Sequence, residues 1–141
     1  MATTTHGSAI SLLIMEDDQV ARMAISRLIA IRFPDIAVFT ADNGRMGVEL
    51  FKEHAPEMVI TDINMPVMDG IQAAGEIKSI RGDTRFIVIT GHSDENYLER
   101  FSEIGYVDYL IKPINFGKLS AAIERCCAEI QLGHSTSVNC E

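Results

Sequence analysis

Four apolar runs in this chain end on polar side chains of a kind that does chemistry. "LLIMEDD" closes on Glu16, Asp17 and Asp18. "VITDINMPVMDG", residues 59–70, leaves its apolar part at Asp62, with Asp69 and Gly70 close behind. "VIT", residues 88–90, ends on Thr90 before Gly91, and "DYLIKP" brings Lys112 just ahead of Pro113. Carboxylates gathered in one crevice repel each other, and their pKa values rise unless a cation joins them. A hard divalent cation supplies that relief. Mg²⁺ suits one or two carboxylates, several waters, a phosphate oxygen and a further oxygen ligand such as the Asn64 carbonyl. Lys112 adds a compact positive charge and Thr90 a hydroxyl. A metal, an ammonium and a hydrogen-bond donor around an attacking carboxylate are the parts that phosphoryl transfer uses.

Each of these residues also has a plainer reading. Asp62 and Asp69 fit turn positions, Asp18 fits a helix N-cap, and Gly70 fits the opening of a helix. Lys112 alone reads as a surface lysine and Thr90 alone as a strand-end threonine. The chemical reading rests on the conjunction, so the elements must bring the groups together.

Five short apolar runs read as strands: Ser11–Met15, Ala37–Ala41, Met58–Thr61, Phe86–Thr90 and Val107–Ile111. Several are continuous rather than alternating, as in a parallel sheet covered on both faces. Between them lie helical patterns. One places Val20, Ala24, Leu28 and Ile31 on a stripe that Pro34 stops, and another offers Met46, Gly47, Leu50 and Phe51. A third follows Gly70, and a fourth opens on the capping residues Ser93 and Asp94. The last sets Phe116, Leu119, Ile123, Cys126, Cys127 and Ile130 on one face. Strict alternation predicts an α/β fold, (βα)5, with a five-stranded parallel sheet doubly wound by right-handed crossovers. Residues 1–9 and 132–141 read as tails around one domain over 10–131. In such a sheet, active groups collect outside the carboxyl ends of the strands, and in the order 2-1-3-4-5 strands 1 and 3 are neighbours at the switch point. That order brings Glu16 and Asp17 to Asp62. Only the second strand ends without a reactive group.

Composition narrows the function classes. The chain has 141 residues, 47% hydrophobic and 23% charged, with a net charge of −8. That is an ordinary globular balance. An acidic surface with scattered Lys and Arg disfavours direct nucleic-acid contact. No apolar run approaches the roughly 20 residues of a membrane span, and no secretory signal pattern opens the chain. A cytoplasmic protein is expected. Cys126, Cys127 and Cys140 form no C-x-x-C pair, which disfavours a disulfide framework or a zinc site.

In this order and spacing, "LLIMEDD", "VITDINMPVMDG", "VIT" and "DYLIKP" resemble the receiver domain of two-component response regulators, over roughly residues 10–131. The resemblance implies the flavodoxin-like, CheY-like form of the fold. It also implies that Glu16, Asp17, Asp62 and the Asn64 backbone carbonyl hold Mg²⁺, with Mn²⁺ as a substitute, and that Asp62 takes phosphate from the phosphohistidine of a sensor histidine kinase or phosphotransfer protein. Thr90 and Lys112 would bind the phosphoryl oxygens, and Thr90 and Tyr109 would form the switch. Asn64 and His92, each two residues beyond a principal site residue, would flank the path of attacking water and tune phosphate lifetime. The family's output surface is the helix after Thr90, the fifth strand and the last helix, used for a downstream partner or for a homodimer. The Lys112–Pro113 bond is expected to be cis. Tyr106 departs from the family, which often has a small residue there.

A stand-alone receiver, phosphorylating and dephosphorylating itself without being a turnover enzyme, is the first expectation. A receiver cut from a larger hybrid kinase or output-bearing regulator is the second. A hydrolase with an aspartyl-phosphate intermediate is the third, and Asn64, where a second acid would stand, counts against it. No phosphate-cradling glycine motif supports a nucleotide site.

Overall fold

The computed structural model describes residues 10–91 and 95–139. Among them, five strands alternate with five helices: β1 (Ser11–Met15), α1 (Gln19–Arg32), β2 (Ala37–Ala41), α2 (Gly44–His54), β3 (Met58–Asp62), α3 (Gly70–Ile80), β4 (Arg85–Thr90), α4 (Glu95–Ser102), β5 (Asp108–Ile111) and α5 (Phe116–Asn139). The sheet runs β2-β1-β3-β4-β5, and every ladder is parallel. The five strands are therefore where the apolar runs predict them, and the fold and strand order are the doubly wound arrangement expected. The strand bounds differ by one residue: β3 takes in Asp62, β4 takes in Arg85, and β5 begins at Asp108.

Alternate strand side chains point to opposite faces, so the continuous runs feed two cores. Leu12, Ile14, Ile60 and Ile89 pack with Ile25 and Ile29 of α1 and with Leu119, Ile123 and Cys126 of α5. Leu13, Met15, Val59 and Val88 pack on the other side with Phe51 of α2, Ile77 of α3 and Phe101 of α4. β1 and β3 are buried over nearly their whole length, which is why their sequences do not alternate.

The helix faces correct the sequence reading in three places. On α1 the buried residues are Ile25 and Ile29, while Val20 and Ile31 are 75% and 77% exposed. The helix has two apolar stripes, and periodicity cannot choose between them. The entry of the chain fixes the phase: Asp18 caps the helix, its carboxylate accepting from the Ala21 amide at 3.0 Å. On α2 it is Val48 that is buried, and Met46 faces outward. On α5 Phe116 lies outside the buried face that begins at Leu119. That helix continues to Asn139, through most of the segment read as a tail. Ser93 and Asp94, the expected caps of α4, lie outside the described residues, as does His92.

Candidate functional site

Parallel strands put their carboxyl ends at one edge of the sheet, and the reactive residues follow them there. β1 pairs with β3 through Met15↔Thr61, so Glu16 and Asp62, each one residue further on, come side by side. Glu16, Asp17 and Asp62 each offer a carboxylate oxygen, and these lie within 4.8 Å of one another. Glu16 is fully buried and Asp62 only 3% exposed, whereas Asp17 is exposed.

The lysine arrives from the far edge of the sheet. Lys112 follows β5, where its amide donates to the Thr90 carbonyl at 2.8 Å, and the Lys112–Pro113 bond is cis, as expected. Its Nζ donates to Asp62 Oδ2 at 2.7 Å and stands 3.9 Å from Glu16 Oε1. Thr90, 2% exposed, ends β4 beside β3; its hydroxyl donates to the Gly91 carbonyl at 3.1 Å. The Asn64 amide donates to Asp62 Oδ1 at 3.3 Å. Tyr109 is not gathered into the notch. It is 42% exposed and packs edge-on against Tyr106, ring centroids 6.1 Å apart.

The charges explain one another. Burial pushes the Glu16 carboxyl up to about 7; the Asp18 amide and Lys112 oppose that rise, and the Asp62 charge adds to it. For Lys112, burial pulls the pKa down. The hydrogen bond and charge of Asp62, with Glu16 and Asp17, outweigh it and hold the ammonium above its usual range. Glu16 Oε2 accepts from the Asp18 amide at 3.0 Å, but Oε1 is buried without a hydrogen bond. A buried carboxylate oxygen without a hydrogen bond, beside two further acids, fits a hard divalent cation, since such ions take oxygen ligands.

The surrounding loops fix Asp62 from below. Asp69 caps α3 in a capping box with Gln72, as its turn reading predicts. Gly70 lies so close that a Cβ there would stand 2.2 Å from the Asp62 carbonyl oxygen. Two supporting residues escape the motif reading. Thr61 donates its hydroxyl to that same carbonyl at 2.8 Å; its signal was a polar residue inside an apolar strand. Arg22 Nη1 donates to the Glu16 carbonyl at 2.8 Å; its signal was a basic residue one helical turn past a capping Asp.

Residues 12–124 match the family model of the response regulator receiver domain. The chain is 38% identical over 124 residues to the transcriptional regulatory protein PdtaR of Mycobacterium tuberculosis, covering 86% of this chain and 60% of that protein. It is 33% identical over 114 residues to the chemotaxis protein CheY of Bacillus subtilis, covering 81% and 94%. A receiver domain protein from Clostridium thermocellum has a closely similar structure, with a TM-score of 0.81 and 30% identity over 87% of this chain and 98% of that one. The chain thus spans about 60% of the length of PdtaR and nearly all of CheY. The family match runs from β1 into α5 and takes in both the acids and the lysine, and on it the chain belongs to the response regulator receiver domain family of two-component systems.

Proposed function

We propose that the chain accepts a phosphoryl group on Asp62 from the phosphohistidine of a sensor histidine kinase or phosphotransfer protein. The observation that carries this reading is the contact of Lys112 Nζ with Asp62 Oδ2 at 2.7 Å, at the mouth of the Glu16–Asp17–Asp62 cluster. Asp17, Asp62 and the Asn64 carbonyl would hold Mg²⁺, with Glu16 helping through water, and the ion when bound would offset the charge of the incoming phosphate. The Asp62 carboxylate attacks phosphorus in line. An O–P bond forms, the P–N bond breaks, and the imidazole nitrogen keeps the bonding pair. Lys112 balances charge on the phosphoryl oxygens and the Thr90 hydroxyl donates to one of them. Water later hydrolyses the acyl phosphate, at a rate that Asn64 and His92, each two residues beyond a principal site residue in the sequence, would tune. In this reading the chain is the bearer of the phosphate and not a turnover enzyme, and it works in the cytoplasm. Among the described residues no helix is long and apolar enough to cross a membrane.

The output would run through Thr90 and Tyr109 to the α4–β5–α5 face, by docking a downstream protein or a second copy. What supports this is the exposure of Tyr109 and a groove of about 460 Å³ along β5 and α5, lined by Tyr109, Ile111, Lys118 and Arg125 among others. Incubation with acetyl phosphate and Mg²⁺, read by intact mass, should add one phosphoryl group to the parent and none to Asp62→Asn. Equal labelling of both would defeat the assignment.

A further inference from the structure

We propose that Arg22 is a positioning residue for the turn at the end of β1, and that it holds Asp17 at the acid cluster. The inference rests on reading Glu16, Asp17 and Asp62 as a Mg²⁺ site, and adds a residue outside the ligand set.

Asp17 belongs to no regular element. β1 stops at Met15 and α1 starts at Gln19, so residues 16–18 form a bare link. Asp17 itself is exposed. An exposed carboxylate on an unsupported link would sample many directions, and its ordering would weaken any ion it binds. Arg22 ties the peptide that leads into Asp17 and the one that follows Asp18. Its guanidinium Nη1 donates to the Glu16 carbonyl at 2.8 Å, and its backbone amide donates to the Asp18 carbonyl at 2.9 Å. The rest of the link is closed around these two bonds. The Glu16 amide donates to the Ala41 carbonyl at 3.0 Å, and the Asp18 amide donates to Glu16 Oε2 at 3.0 Å. The backbone bond of Arg22 would form for any residue in the first turn of α1. The guanidinium bond needs a side chain long enough to reach back six residues, with its donor held in a fixed direction on a planar group.

The role can be separated from that of a nearby charge, because the two have opposite signs. A guanidinium bonded to the Glu16 carbonyl, next to the acid cluster, would repel a second cation. If Arg22 acted only through its charge, removing it would tighten Mg²⁺ binding, and Arg22→Lys would behave like the parent. If it positions Asp17, both Arg22→Gln and Arg22→Lys weaken binding. Partners of metal ligands that are not ligands themselves typically matter about ten-fold or more in affinity, and that is the loss expected in both variants.

The test is calorimetric titration of Mg²⁺ into the full chain, with Asp17→Asn as the variant lacking a ligand. Amide hydrogen exchange of the metal-free proteins is read alongside. Both Arg22 variants should bind Mg²⁺ about ten-fold more weakly. The amides of Asp17 and Asp18 should exchange faster, while those of β3 and β4 keep the parent's protection. Binding by Arg22→Gln as tight as the parent or tighter would overturn the proposal. So would faster exchange throughout β3 and β4, which would mark a general loosening. A parent that shows no Mg²⁺ binding sensitive to Asp17→Asn would remove the metal reading itself, a result distinct from either of these.

Discussion

Glu16 is the side chain whose surroundings suit its charge least. It is fully buried, one of its oxygens has no hydrogen bond, and the acid beside it, Asp62, is already engaged by Lys112. Its carboxyl is raised from 4.5 to about 7, chiefly by burial. The consequence for stability runs opposite to that of a salt-bridged acid. Between pH 4.5 and about 7 the unfolded chain gives up this proton while the folded chain keeps it, so the metal-free fold loses stability as pH rises. The slope is at most about 1.4 kcal/mol per pH unit, or roughly 3 kcal/mol over the interval. Urea unfolding in a chelator at pH 5 and pH 7.5 should therefore show the parent losing stability relative to Glu16→Gln. Parallel changes in the two proteins would mean that Glu16 keeps an ordinary pKa. Mg²⁺ binding should oppose the loss, because the ion stabilises the ionised carboxyl.

At the scale of elements, the link between β3 and α3 holds two opposite backbone problems. Val67 sits at φ 71, and the Met68 amide donates to the Pro66 carbonyl at 2.7 Å across it. That is a three-residue turn of the strained hand, occupied by a β-branched residue. Val67→Gly should stabilise the protein by about 1 kcal/mol, seen as a higher denaturation midpoint. Three residues on, Gly70→Ala should do the reverse. Its Cβ would press on the Asp62 carbonyl, at a cost of about 2 kcal/mol or more, and labelling of Asp62 should fall with it. A Gly70→Ala protein as stable as the parent would show that the link can give way. Elements were well marked in the sequence where chemistry and burial coincide. The two-sided burial of β1 and β3 wrote itself as unbroken apolar runs, and Asp18 and Asp69 capped their helices as their types suggest. The phase of α1 was not marked, since both of its faces are apolar and only the geometry of residues 16–18 decides between them. The strain at Val67 was hidden for a related reason: valine carries no signal for positive φ. Thr61 and Arg22 escaped because each acts on a main-chain carbonyl, and sequence motifs speak of side chains.

For the whole molecule the dominant fact is a net charge of −8, with three acids drawn together at one end of the sheet. Simple screening should raise stability modestly as NaCl is added. Mg²⁺ at matched ionic strength should raise the thermal midpoint further, and Asp17→Asn should abolish only this excess. Equal effects of the two salts would show that the cluster binds no ion in particular. At the opposite end of the charge scale lies a row of rings. Phe86, Phe101, Tyr106 and Tyr109 meet edge to face in succession, from the buried start of β4 out to the edge strand β5, with centroid separations of 5.7, 6.1 and 6.1 Å. Tyr97 stands on α4, the helix that also carries Phe101. These three are all the tyrosines in the chain, and there is no tryptophan. Tyrosine emission and the tyrosine bands of the near-ultraviolet dichroism therefore originate on a single flank, so the native protein, without any label, carries an optical gauge of whatever happens there.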